Sequence, residues 1–280
     1  MQTQFPIYVK DKNYHHPSFP SPSPETKIWR YMEWYKFEWL LTYKKLLMPT
    51  VPLLGDSREG TTPEGEDQKW KKLERPASTP ENLIQIQQYK NAIDHFAQSL
   101  QKGYFVSCWH MNSEEIPTQW NDFIPVWEDE NDPVAISTTF ECLKKALPEH
   151  VEVGMVKYIN YEGSDLFYHE GHYLPNMYEW IMTKDKKYEW EKEVRAVASF
   201  SNMKFLHDQN VLFKERRKVD LENVFECEKT KKLVYYAPPI ELTRFLHSVH
   251  VRPNAPETHI ARVKNLLKGI GMEKTFFQTV

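Results

Sequence analysis

Cysteine is scarce and scattered in this chain. Cys108, Cys142 and Cys227 are odd in number and far apart, so they form neither a disulfide framework nor a CxxC metal site. Such usage suits a reducing compartment. No run of about eighteen apolar residues is present to span a bilayer, so no membrane partner is expected. The opening Met1-Gln2-Thr3-Gln4-Phe5-Pro6 lacks the charged-then-apolar order of a secretory leader, and the expected location is cytoplasmic. An excess of one charge is lacking too: 36 Lys and Arg stand against 39 Asp and Glu. That balance gives no electrostatic footprint for nucleic acid, and the short basic stretch Lys214–Lys218 reads as a solvated face. Walker, GxGxxG and GxSxG sequences are also missing, which argues against P-loop, Rossmann and α/β-hydrolase chemistry.

What is present is an ordinary globular balance, 40% hydrophobic and 27% charged, with nine Trp, fifteen Tyr and fifteen Phe. Most of these aromatics are expected in the core, and 280 residues suffice to bury a sizeable one. Pro17, Pro20, Pro22 and Pro24 make residues 1–26 an extended arm. Residues 27–280 then read as a single domain. Ile28–Met32 alternates as a strand, and Glu33–Leu47 carries apolar residues at helical spacing. Residues 55–80 are polar and Gly/Pro-punctuated, a long loop suited to a lid or to flexible filler. Thr79-Pro80-Glu81 is a helix start, and Ile86, Tyr89, Ile93, Phe96, Ala97 and Leu100 form its apolar stripe, stopped by Gly103. Strands are expected at 104–109, 133–137, 151–161, 194–200, 245–252 and 275–280, with helices at 140–147 and 256–268. Strands mix with helices without a βαβ period. The expected fold is α+β, a central mostly antiparallel sheet with flanking helices.

Three segments carry candidate chemistry. If Tyr188–Val197 is one strand, Glu189, Glu191, Glu193 and Arg195 share a face. Close carboxylates repel, so one pKa rises unless Arg195 or a ligand compensates; a solvent-facing ion pair is the plainer reading. Cys108 and His110 point the same way on their strand, with Cys108 read as a small core residue. Tyr168-His169-Glu170-Gly171-His172 is not HExxH, and no resident metal is expected.

Taken in order, short motifs resemble the bacterial family called domain of unknown function 2971. They are Trp29-Arg30-Tyr31-Met32, Gly55-Asp56-Ser57-Arg58-Glu59-Gly60, Ser107-Cys108-Trp109 ahead of Glu114 and Trp120, and Val134-Ala135-Ile136-Ser137. Glu191-Lys192-Glu193-Val194-Arg195 and Val249-His250-Val251-Arg252-Pro253 complete the series. The resemblance spans roughly residues 27–280. This chain departs from it at Asp56-Ser57-Arg58-Glu59, where the family has Asp-Pro-Phe-Glu. The family implies no activity. A looser resemblance, to mono-ADP-ribosyltransferases, does. Their order of Arg, Ser and Glu-x-Glu corresponds here to Arg30, Ser137 and Glu191-Lys192-Glu193.

That second resemblance implies an NAD-consuming transferase or glycohydrolase, an effector in bacterial defence or conflict, with NAD as substrate and an unnamed acceptor macromolecule. Arg30 would hold a phosphate and Ser137 orient the ribose. Glu193 would stabilise the oxocarbenium-like transition state, Glu191 would activate the acceptor, and Tyr31, Trp109 or Trp120 would stack on the nicotinamide. The reading requires Arg30, Ser137 and Glu193 to converge on one cleft, and separate faces would exclude it. Two rivals stand beside it. One is a non-catalytic module whose aromatics and arginines hold a nucleotide or a protein. The other is a metal-dependent nuclease built on Asp56, Glu59, Glu191 and Glu193.

Overall fold

The structure is a computed structural model and describes residues 18–55, 58–74, 79–114, 119–120, 132–163, 167, 177–209 and 219–278. Twelve strands occur among them: β1 (Lys27–Met32), β2 (Met48–Pro49), β3 (Tyr104–Met111), β4 (Val134–Thr139), β5 (Glu152–Met155), β6 (Lys157–Ile159), β7 (Thr183–Asp185), β8 (Glu193–Ser199), β9 (Val224–Glu226), β10 (Leu233–Tyr236), β11 (Ser248–Val251) and β12 (Phe276–Gln278). The longer helices are α1 (Trp34–Tyr43), α2 (Glu64–Glu74), α3 (Pro80–Gly103), α4 (Phe140–Ala146), α5 (Phe200–Asp208) and α6 (Glu257–Gly269). Seven strands form the central sheet in the order β12-β11-β4-β1-β3-β8-β5. Every pairing in it is antiparallel except β11 with β12, which flank α6. The α+β architecture expected from the residue pattern is the one observed.

Local chemistry accounts for most boundaries. Thr79, Thr139 and Ser199 each cap a helix by accepting a backbone N–H three residues on, at 3.3, 3.3 and 3.4 Å. α1 stops at Tyr43 rather than Leu47 because Lys44 turns left-handed (φ 51°), and the chain re-enters the core through Leu46 and Met48. The segment read as a loop over 55–80 contains α2, whose Glu66 is buried and accepts the Phe167 N–H at 3.0 Å. The strand read as 151–161 is two, β5 and β6, separated at Val156.

The two faces of the sheet differ. Directly paired residues of neighbouring strands send their side chains the same way. One face presents Ile28, Met32, Phe105, Trp109, Val134, Ile136, Val194, Ala196, Val249 and Val251. These pack with α1, α4, α5 and α6 residues such as Phe37, Leu143, Met203 and Val263 into the main core. The other face carries a polar row: Ser248 is paired with Ser137, Ser137 with Trp29, Trp29 with His110, and His110 with Glu193. On that face Tyr104, Val106 and Val197 pack beneath Val51, Ala97 and Trp180, while Trp29, Tyr31 and Ala135 pack with Trp120.

Of the Pro-rich arm, residues 1–17 lie outside the described set. Its last part is fixed: Ser18 donates to Glu179 at 2.8 Å, Phe19 is buried, and the Pro20 carbonyl accepts the Met155 N–H at 2.8 Å. Gly154 makes this possible, since a Cβ there would lie 2.6 Å from the Phe19 Cα. Gly154→Ala is expected to push the arm off β5 and cost about 1–3 kcal/mol, as overpacking does. Chemical denaturation measures it, and an unchanged midpoint would show that the arm contributes nothing to stability.

Candidate functional site

The polar face converges on one buried ion cluster. Arg195, 1% exposed, lies on β8 opposite Cys108 and Gly154. Its Nε donates to Glu193 Oε1 at 2.7 Å and its Nη2 to Glu193 Oε2 at 3.0 Å, while Nη2 also reaches Glu59 Oε1 at 2.7 Å and Nη1 the Ile181 carbonyl at 2.6 Å. Lys184 of β7 adds a second cation. Its Nζ stands 2.7 Å from Glu191, 3.4 Å from Glu193 and 3.5 Å from Glu59. The Tyr188 ring lies 4.8 Å from that ammonium, and the Tyr158 hydroxyl accepts the Glu193 N–H at 2.8 Å. His110 contacts the Glu191 carbonyl through Nδ1 at 3.0 Å.

The expected row of carboxylates forms differently. Lys186–Glu191 is a 3-10 turn, and Lys192 takes a left-handed conformation (φ 45°) before the strand begins at Glu193. Glu189 is therefore exposed rather than in the row. The same turn folds Glu191 back so that Lys184 bridges it to Glu193. The two carboxyls are driven in opposite directions. Burial raises Glu193, but Arg195 and Lys184 outweigh burial and hold it well below the usual carboxylate range. Burial raises Glu191, with Lys184 opposing. Burial lowers Lys184 and Arg195, but the surrounding carboxylates overcome this and hold both firmly protonated. Burial and then Glu193 push the Cys108 thiol up, which keeps it protonated and unreactive. Burial lowers His110 to about 4.

The ADP-ribosyltransferase arrangement is not assembled. Arg30 pairs with Ile136 on β4 and so faces the main core, away from Ser137 and Glu193. Ser137 and Glu193 share a face but sit three strands apart, about 14 Å at the usual strand spacing. Ser137 is hydrogen-bonded to Ser248, which is in turn 3.0 Å from His250. The residues expected to stack on a base are packed on protein instead. Tyr31 and Trp120 meet edge to face at 5.0 Å, and Trp109, fully buried on the other face, abuts Phe245 at 5.6 Å.

Of the four residues of the nuclease reading, Glu59, Glu191 and Glu193 do meet, but around Lys184. The chain's own ammonium stands where a divalent ion would. Asp56 lies outside the described residues, as do His169 and His172. Among the described residues no group of three His, Cys, Asp or Glu is arranged to hold a metal, and no helix is long and apolar enough to cross a membrane. Sequence reasoning missed Lys184, Tyr158 and Tyr188. Nothing in Thr183-Lys184-Asp185-Lys186-Lys187 marks one lysine as buried, so no local signal was there to find.

Arg30 itself is unusual. This half-buried guanidinium donates to Ser107 Oγ at 2.9 Å and to the Leu47 carbonyl at 3.2 Å, with the Trp109 ring 5.9 Å away. Trp109 Nε1 donates to the same Ser107 oxygen at 3.0 Å. No carboxylate among the described residues lies within ion-pair distance of Arg30, and burial lowers its pKa. By contrast Arg195, Lys184 and Arg252 each have a carboxylate within 2.7 Å. No protein-family model, curated protein or solved structure matches the chain.

Proposed function

We propose that the protein is a binding module for a phosphorylated small molecule, a nucleotide in the first instance, whose anion seats on Arg30. The observation that carries this reading is the unmatched charge. A cation between Ile28 and Met32 on the core face is costly unless an anion neutralises it. A guanidinium is also the group best shaped to grip a phosphate or carboxylate. Its position breaks the pattern of its strand, and its partners are a hydroxyl, a carbonyl and a ring, with Glu33 acting only from beyond ion-pair distance, which is the mark of a residue kept for function. The three free cysteines support action in a reducing compartment.

Thermal shift and titration calorimetry with ADP, NAD and inorganic phosphate test the proposal. At about a hundred times Kd, a ligand of the folded state stabilises by about 2.7 kcal/mol. Arg30→Met should abolish that gain and leave the unliganded midpoint unchanged or higher, because an uncompensated charge is gone. A purely structural arginine predicts the reverse, a lower midpoint. Silence from all three ligands would sink the module reading.

A further inference from the structure

The ion cluster on the polar face is short of one positive charge and one hydrogen-bond donor. Three carboxylates, Glu59, Glu191 and Glu193, stand against two cations, Lys184 and Arg195. Glu59 is 8% exposed, and its Oε2 has no hydrogen-bond partner among the described residues, although Oε1 is held by Arg195. Leaving a buried charged acceptor unmade is expensive. One chemical group makes up both deficits, namely an N–H-bearing cation.

We propose that this cluster is a second site, which takes the ammonium or guanidinium group of a small organic cation onto Glu59 Oε2. Lys184 and Arg195 already fill the oxygens that a divalent metal would require, so the remaining acceptor suits a single charged donor. The half-buried Tyr188 ring beside the cluster already takes two ammonium groups, Lys184 at 4.8 Å and Lys187 at 5.0 Å, so cations are the charge this corner accepts. Lys184 and Glu191, whose side chains are 12% and 10% exposed, lie nearer the surface than Glu59, whose side chain is 4% exposed. This site and the Arg30 anion site lie on opposite faces of the sheet and take opposite charges. Failure of one therefore leaves the other standing.

Titration calorimetry of the full chain with putrescine and with agmatine is the test, at constant ionic strength and with MgCl₂ in parallel. At least one amine is expected to bind with unit stoichiometry. Glu59→Gln keeps the side chain's shape but turns the open acceptor into a donor, and should weaken binding about tenfold or more. Glu191→Gln, closer to solvent, should weaken it in the same direction and decides the matter if Glu59→Gln does not fold. Glu189→Gln, exposed and outside the cluster, should bind as the parent does. The proposal is overturned if neither amine binds the folded parent, if both cluster variants bind unchanged, or if Mg²⁺ binds in place of the amines.

Discussion

Replacing Arg195 by Met will cost the fold about 3–5 kcal/mol, the usual penalty for breaking a buried ion pair from one side. The Glu193 and Glu59 carboxylates would be left facing each other, and the Ile181 carbonyl would lose its donor. In a chain of this length such a loss lowers the thermal midpoint by roughly 10 °C. Adding Glu193→Gln to the same variant should recover part of the loss, since one of the stranded charges is removed. Scanning calorimetry or urea unfolding measures both. A cost below about 1 kcal/mol for Arg195→Met would mean that water reaches the cluster and screens it.

The second large effect is a dependence on pH set by His110. Burial holds its folded pKa at about 4, against an ordinary 6.5. Of the charged groups facing it, Glu193 opposes this while Lys184 and Arg195 reinforce it. The unfolded chain therefore binds a proton through the window from 6.5 down to about 4, and the folded chain does not. Stability is full above 6.5 and declines as the pH falls to about 4, by ~3 kcal/mol for this residue. Glu193, whose folded pKa is depressed, adds a further loss as the pH falls below the ordinary carboxylate range. Glu191 works the other way at the lower end, because its raised pKa lets the folded chain take up the proton first. Unfolding free energies measured from pH 7 to 4 should slope downward in the parent and less steeply in His110→Gln, where His250, also lowered to about 4 by burial and then Lys27, keeps part of the slope. Equal slopes in the two would remove His110 from the account.

Much of the fold was legible because backbone and burial rules act locally. Thr79 announced a helix start through its side-chain oxygen. Alternation in Ile28–Met32 and Val194–Ala198 announced strands, although β8 is buried on both faces. What stayed hidden depended on single backbone choices and on contacts between distant segments. The left-handed turns at Lys44 and Lys192 are each taken by a lysine, a residue that carries no such preference, so α1 was read too long and Glu189 was assigned to a strand. α2 is polar along most of its length and has no apolar stripe to read; among its described side chains Glu66 is buried. The face on which Arg30 points is a matter of register, and a shift of one residue reverses it. No single-segment reading could fix that. Glu59 and Lys184, 125 positions apart in the chain, meet only in the folded protein.

The strap made by Ser18, Phe19 and Pro20 has a further consequence. β5 is the last strand of the sheet on its side, and a last strand is a ready template for another molecule's backbone. Met155 cannot offer its N–H to such a visitor while the Pro20 carbonyl holds it, and a proline next in line brings no N–H of its own to continue a ladder. The glycine that admits Phe19 thus does more than tolerate a close approach. It lets the chain lay its own Pro-rich segment along the last strand, so that at Met155 the protein's own carbonyl takes the place a neighbour's would.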